Sequence, residues 1–178
     1  RPYTGATGPG LGTAGLQAGD SYTFTAALPA VPTAEQLQDA RLADVRTPTP
    51  QLVSDALVNL HAQEVDTAAP GLSQVRKIET FLRTGYFSHG KADEVRSPSG
   101  HSNWRLTQML QAQQLVGDQE QYAVTMALMV AQSGLPARVV MGFLPEQQQV
   151  ADGEPIPVRA NDVTAWVEIP VEGYGWVR

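Results

Sequence analysis

Two short stretches concentrate the residues of this chain that could do chemistry. Asp118, Gln119, Glu120, Gln121 and Tyr122 are consecutive; Asp162, Thr164, Trp166 and Glu168 follow later at alternate positions. Arg138 and three histidines, His61, His89 and His101, stand outside them. Carboxylates such as Glu120 and Asp162, or a histidine, are the groups a hydrolase uses to move protons. A thiol mechanism is excluded, because the chain has no cysteine. The same absence excludes disulfides and Cys-ligated metals. His89 and His101 share a stretch with Asp93 and Glu94, but the spacing matches no metal-ligand pattern. No metal and no cofactor is expected.

The chain has 178 residues, 42% hydrophobic and 17% charged, which is the composition of a globular domain. Its net charge of −6 lacks the basic stripe that nucleic acid requires. No apolar run approaches the ~18 residues of a transmembrane helix. The chain opens on Arg1-Pro2-Tyr3 and reads as a piece of a longer protein, so an anchor would lie outside it.

The elements that must position these residues follow from periodicity. Residues 1–20 read as an irregular arm, and Ser21 to Ala26 alternate Tyr22, Phe24 and Ala26 against Thr23 and Thr25, a half-buried strand. Thr33 with Gln36 reads as a capping box for a short helix reaching about Ala43. Thr49-Pro50 predicts the start of a helix carrying Val53, Leu57 and Leu60. Ser73 predicts the start of another with Val75, Ile78 and Leu82, stopped at Gly85. Residues 86–102 read as a polar loop. A short helix follows around Trp104, Leu106 and Met109.

Asp118 caps the most apolar helix, which runs to about Ser133 with Gly134 as its stop. Ala137 to Leu144 is a strand, 145–160 a loop, Val163 to Ile169 a strand, and Trp176-Val177 a strand after a glycine-bearing turn. Helices first and strands last make the class α+β with a mainly antiparallel sheet. The division is a packed arm, 1–48, and a core, 49–178. Arg138 opens an apolar strand and needs an acceptor, for which Glu168 on the neighbouring strand is the candidate.

Four segments together carry a family pattern. They are Gly117-Asp118-Gln119-Glu120-Gln121-Tyr122-Ala123, Ser133-Gly134-Leu135-Pro136-Ala137-Arg138-Val139-Val140-Met141-Gly142-Phe143, Asp162-Val163-Thr164-Ala165-Trp166-Val167-Glu168 and Gly173-Tyr174-Gly175-Trp176-Val177. This order resembles the core of the bacterial transglutaminase-like superfamily, over about residues 50–178. The resemblance implies a papain-like fold. It also implies a nucleophilic cysteine at the start of a helix, where the helix N-terminus favours thiolate, and a histidine on a facing strand. Gln119 occupies the cysteine position and Thr164 the histidine position. Neither can replace the group it stands for, since an amide is not ionisable and a hydroxyl is a poor base. The third position, an Asp, would fall just beyond Arg178.

The resemblance therefore implies a pseudoenzyme, with no catalytic residues and degenerate positions at Gln119 and Thr164. A cleft lined by Asp118, Gln119, Glu120, Tyr122, Thr164 and Trp166 is expected, with Gln119 in contact with Thr164. Arg138 and Glu168 are expected as a structural ion pair. The pattern resembles that of the large actinobacterial membrane proteins that carry such a domain outside the cell. An extracytoplasmic position follows from that likeness, with membrane segments outside this chain. The expected partner is a peptide, an envelope component or another protein. Two alternatives stay open: a hydrolase built on other residues, and a purely structural spacer.

Overall fold

The computed structural model describes residues 31–144 and 157–178. The arm of residues 1–20, the expected strand at Ser21–Ala26 and most of the 145–160 loop lie outside them.

Among the described residues four helices come first: α1 (Asp55–Glu64), α2 (Gly71–Leu82), α3 (Asn103–Gln111) and α4 (Gln119–Gln132). Between them β1 (Tyr86–Phe87) pairs in parallel with β2 (Val116–Gly117). Then β3 (Arg138–Phe143), β4 (Val163–Val171) and β5 (Gly175–Val177) form an antiparallel sheet in the order β3-β4-β5. This is the α+β architecture expected from helices preceding strands.

α4 organises the core. The Asp118 carboxylate accepts from the backbone N–H of Glu120 (2.8 Å) and Gln121 (3.3 Å). The Gln121 side chain accepts from the Asp118 N–H at 2.8 Å, completing a capping box. At the other end Gly134 takes φ +72°, which a side chain would strain. Ala123, Met129 and Val130 of α4 bury against Leu57 of α1, Val75 and Ile78 of α2, and Val167, Ile169 and Val171 of β4. On β4 the odd positions from Ala165 therefore face this core. The even positions Thr164, Trp166 and Glu168 point to the opposite side of the sheet.

Several boundaries differ from expectation, each for a local reason. The box at Thr33 forms, with the Thr33 N–H donating to Gln36 Oε1 (2.8 Å) and the Gln36 N–H to Thr33 Oγ1 (3.2 Å). It closes only a turn over residues 34–38. The following residues are claimed by the sheet: Leu42 bridges Val171, Ala43 N–H donates to Pro170 O, and Glu172 N–H donates to Arg41 O. An extended backbone there cannot also be helical. Leu37 and Leu42 pack on the core.

α1 starts at Asp55, not Pro50. Ser54 supplies the capping oxygen to Leu57 N–H (3.3 Å), and Asp55 lies favourably in the first turn. α2 starts at Gly71 after Pro70, without a side-chain cap, and not at Ser73. The earlier start buries Leu72, and buried Gln74 ties back to Ala69 O at 2.8 Å. Gly85 does not end α2 in a left-handed turn; Arg83 is the C-cap. Gly85 is required by proximity instead, because a Cβ there would come 2.2 Å from the Tyr122 hydroxyl. The polar loop at 86–102 contains β1, whose two residues are too few to show a period.

Candidate functional site

Gln119 is the first residue of α4 and is half-buried, as are Asp118 and Glu120 beside it. Asp118 is committed to capping. Glu120 reaches the loop before α3, where its Oε1 lies 2.5 Å from His101 Nδ1. The loop is fastened at two further points. Gln121, fully buried, donates to Gly100 O at 2.9 Å. Arg105, also buried, donates to Pro98 O (2.6 Å), Ser97 Oγ (3.2 Å) and Val116 O (3.1 Å). The His101–Glu120 contact had no signal in the sequence, because nothing in the spacing places a loop histidine on a helix start.

Tyr122, one turn on, is half-buried. Its hydroxyl donates to Tyr86 O (2.9 Å) and lies 3.2 Å from Leu115 O. It thus ties the β1 end of α2 to the segment before β2. Burial pushes its pKa up, and the Arg105 charge works against that shift.

Thr164 lies on β4 opposite Gly142 of β3, half-buried. The ring of Trp166 lies over Gly142, within 3.1 Å of where a Cβ would stand. Trp166 Nε1–H donates to Glu168 Oε1 at 3.0 Å. Arg138 faces Glu168 across the strands and donates from Nε (2.8 Å) and Nη2 (2.6 Å) to its other oxygen. The Arg138 guanidinium also stacks 4.2 Å from the Trp176 ring centre, and Arg178 lies 5.6 Å from that of Trp166. The even face of the sheet is thus a ladder of two arginines, two tryptophans and one carboxylate.

The structure groups the sequence-derived residues in two sets. Asp118, Glu120 and Tyr122 join the α3 loop and β1 around the N-terminus of α4. Arg138, Glu168 and Trp166 join one another on the sheet. No hydrogen bond connects Gln119 with Thr164.

The histidines divide likewise. His61 is buried on α1, with Nε2 2.7 Å from Ser133 Oγ at the end of α4, and burial lowers its pKa. His89 stacks edge-on against Phe87. Among the described residues no cluster of His, Asp and Glu could hold a metal ion. A groove of about 440 Å³ between the ends of α1, α2 and α3 is lined by Leu60, Phe81, Leu110 and Leu115, with neither Gln119 nor Thr164 on its wall.

Comparison with known proteins adds the following. The transglutaminase-like superfamily core matches residues 59–178. Among solved structures, the periplasmic domain of TgpA from Pseudomonas aeruginosa, bound to ethylmercury, is similar at 21% identity and a TM-score of 0.48. That similarity covers 73% of this chain and 44% of the other, so the chain spans less than half the length of that structure. No curated protein matches.

Proposed function

The chain belongs to the transglutaminase-like superfamily, and from that premise we propose that it is a non-catalytic member, a scaffold kept for binding after its acyl-transfer chemistry was lost. The observation that carries this reading is the chemistry of two positions. By the motif resemblance, Gln119, which begins α4, takes the place of the family's cysteine, and Thr164, on β4, that of its histidine. The capping box, the α4 core face and the β3–β4 pairing that would hold those groups are all formed. Without a thiolate and a base, amide attack has neither nucleophile nor proton carrier. The likeness to actinobacterial membrane proteins supports a place outside the cytoplasmic membrane. There the domain would bind a peptide, an envelope component or a partner protein.

One observation favours a second reading. His101 and Glu120 form a histidine–carboxylate pair beside Gln119, and such a pair can activate water. Incorporation of a labelled amine into a glutamine peptide, and hydrolysis of a peptide amide, separate the readings. The proposal expects neither reaction above background. Hydrolysis that disappears in His101→Ala would establish the second reading, and turnover that disappears in Gln119→Ala or Thr164→Ala would overturn the proposal.

A further inference from the structure

The even face of the sheet carries two cations around one carboxylate. Arg138 of β3 and Glu168 of β4 stand in one row. Arg178 lies one step past the Ile169–Val177 pair of β4 and β5, which sets it beside Glu168 on the other side. The carboxylate is engaged at both oxygens. Oε2 accepts from Arg138 at 2.8 and 2.6 Å, and Oε1 accepts from Trp166 Nε1 at 3.0 Å. Arg138 is thereby neutralised and Arg178 is not; among the described residues Arg178 enters no ion pair. Its guanidinium lies 5.6 Å from the Trp166 ring centre, and the residue is exposed.

The rings of this face are held in place. Trp166 is tied by Nε1 to Glu168 and lies over Gly142, where a Cβ would come within 3.1 Å of it. Trp176 carries the Arg138 guanidinium at 4.2 Å. Both tryptophans are half-buried. An arginine set against an aromatic ring keeps its planar fork of N–H donors for a carboxylate. Groups already held this way lose less freedom when a ligand binds. The half-covered rings beside the cation match an apolar neighbour of that carboxylate.

We propose that this face binds an acidic peptide, with a carboxylate taken by Arg178 and an adjoining apolar side chain laid against Trp166 and Trp176. Charge selects this occupant. The chain carries a net −6, so an acidic ligand gains nothing from the overall field and depends on this local cation. A basic ligand would meet two guanidinium groups with the one carboxylate between them already filled. An inorganic anion would leave the rings uncovered. The inference deepens the binding role proposed above by naming the ligand class. It is read by binding and not by turnover, so either reading can fail alone.

The probe is a short blocked peptide of alternating leucine and glutamate, titrated into the whole chain. Binding is followed by tryptophan emission and by the side-chain Nε–H resonance of Arg178. Saturable binding that moves both signals is expected. Arg178→Gln should weaken it at least roughly tenfold, the loss of hydrogen bonds to a charged group. Arg178→Lys should recover only part of the affinity, because an ammonium lacks the planar fork. Arg83→Gln, at an exposed arginine paired with Glu79 on α2, should bind as the wild type does. Absence of binding would overturn the proposal, and so would unchanged binding by Arg178→Gln. Equal binding of the leucine–glutamine peptide would remove the role of charge and overturn it too. Inorganic phosphate binding as tightly as the peptide would do the same, by leaving a bare anion site.

Discussion

Single atoms set the tolerances of this site. Tyr122 presents its hydroxyl to Tyr86 O and Leu115 O because Gly85 leaves room for it. In Gly85→Ala the ring must turn away and Tyr86 O loses the hydroxyl, while Leu115 O keeps the Tyr86 N–H at 2.7 Å. The expected loss is about 1–3 kcal/mol in urea unfolding, the range for an overpacked contact.

Thr125 presents the opposite case. Its side chain is fully buried on α4 and its Oγ1 has no partner. Thr125→Val keeps the shape and removes the unsatisfied hydroxyl. It should raise stability by about 1 kcal/mol, read in a thermal melt as a rise of roughly 2–4 °C. A lower melting temperature would show that the hydroxyl has a bond this account lacks. Arg138 is simpler still: Glu168 neutralises it and Trp176 covers it, so an arginine on an apolar strand needs nothing from outside the sheet.

Elements differ in how plainly the sequence announces them, and the difference is physical. α4, β3 and β4 were legible because each is long and periodic and because Asp118 and Gly134 mark the ends of α4 in chemical terms. Arg138 and Glu168 were legible as partners because a charge opening an apolar strand needs a counter-charge at matching register. The helix expected after Thr33 was not formed, although its capping bonds are, because pairing of residues 41–43 with β4 outweighs a local preference. β1 and β2 were invisible at two residues each. The loop of His101 is placed by Arg105, Gln121 and Glu120 together, a tertiary arrangement no short motif encodes.

One contact between elements has a pH signature. His61 on α1 meets Ser133 at the end of α4, and burial holds its folded pKa below the unfolded value of about 6.5. As pH falls through that unfolded value the unfolded chain takes up a proton that the folded chain resists, so stability falls. Above it, this group contributes no pH dependence. Urea midpoints between pH 7.5 and 5 should therefore decline more in the wild type than in His61→Gln. Equal slopes would remove His61 from the account.

At the scale of the whole molecule, helices and sheet form a transglutaminase-like core over residues 59–178, and the two positions of the proposed loss, Gln119 and Thr164, lie on different elements. A single substitution is one a neighbouring group can sometimes replace; under the proposed reading, loss of nucleophile and base together leaves the remaining surfaces to do the work. Those surfaces are the His101–Glu120 corner and the arginine–tryptophan ladder. The described helices include none long and apolar enough to cross a membrane.

The central claim is tested most directly by measuring acyl transfer from a glutamine peptide to a labelled amine, wild type beside the Gln119→Ala/Thr164→Ala double variant. The account predicts that both give the same background rate. Turnover by the wild type that the double variant lacks would contradict it.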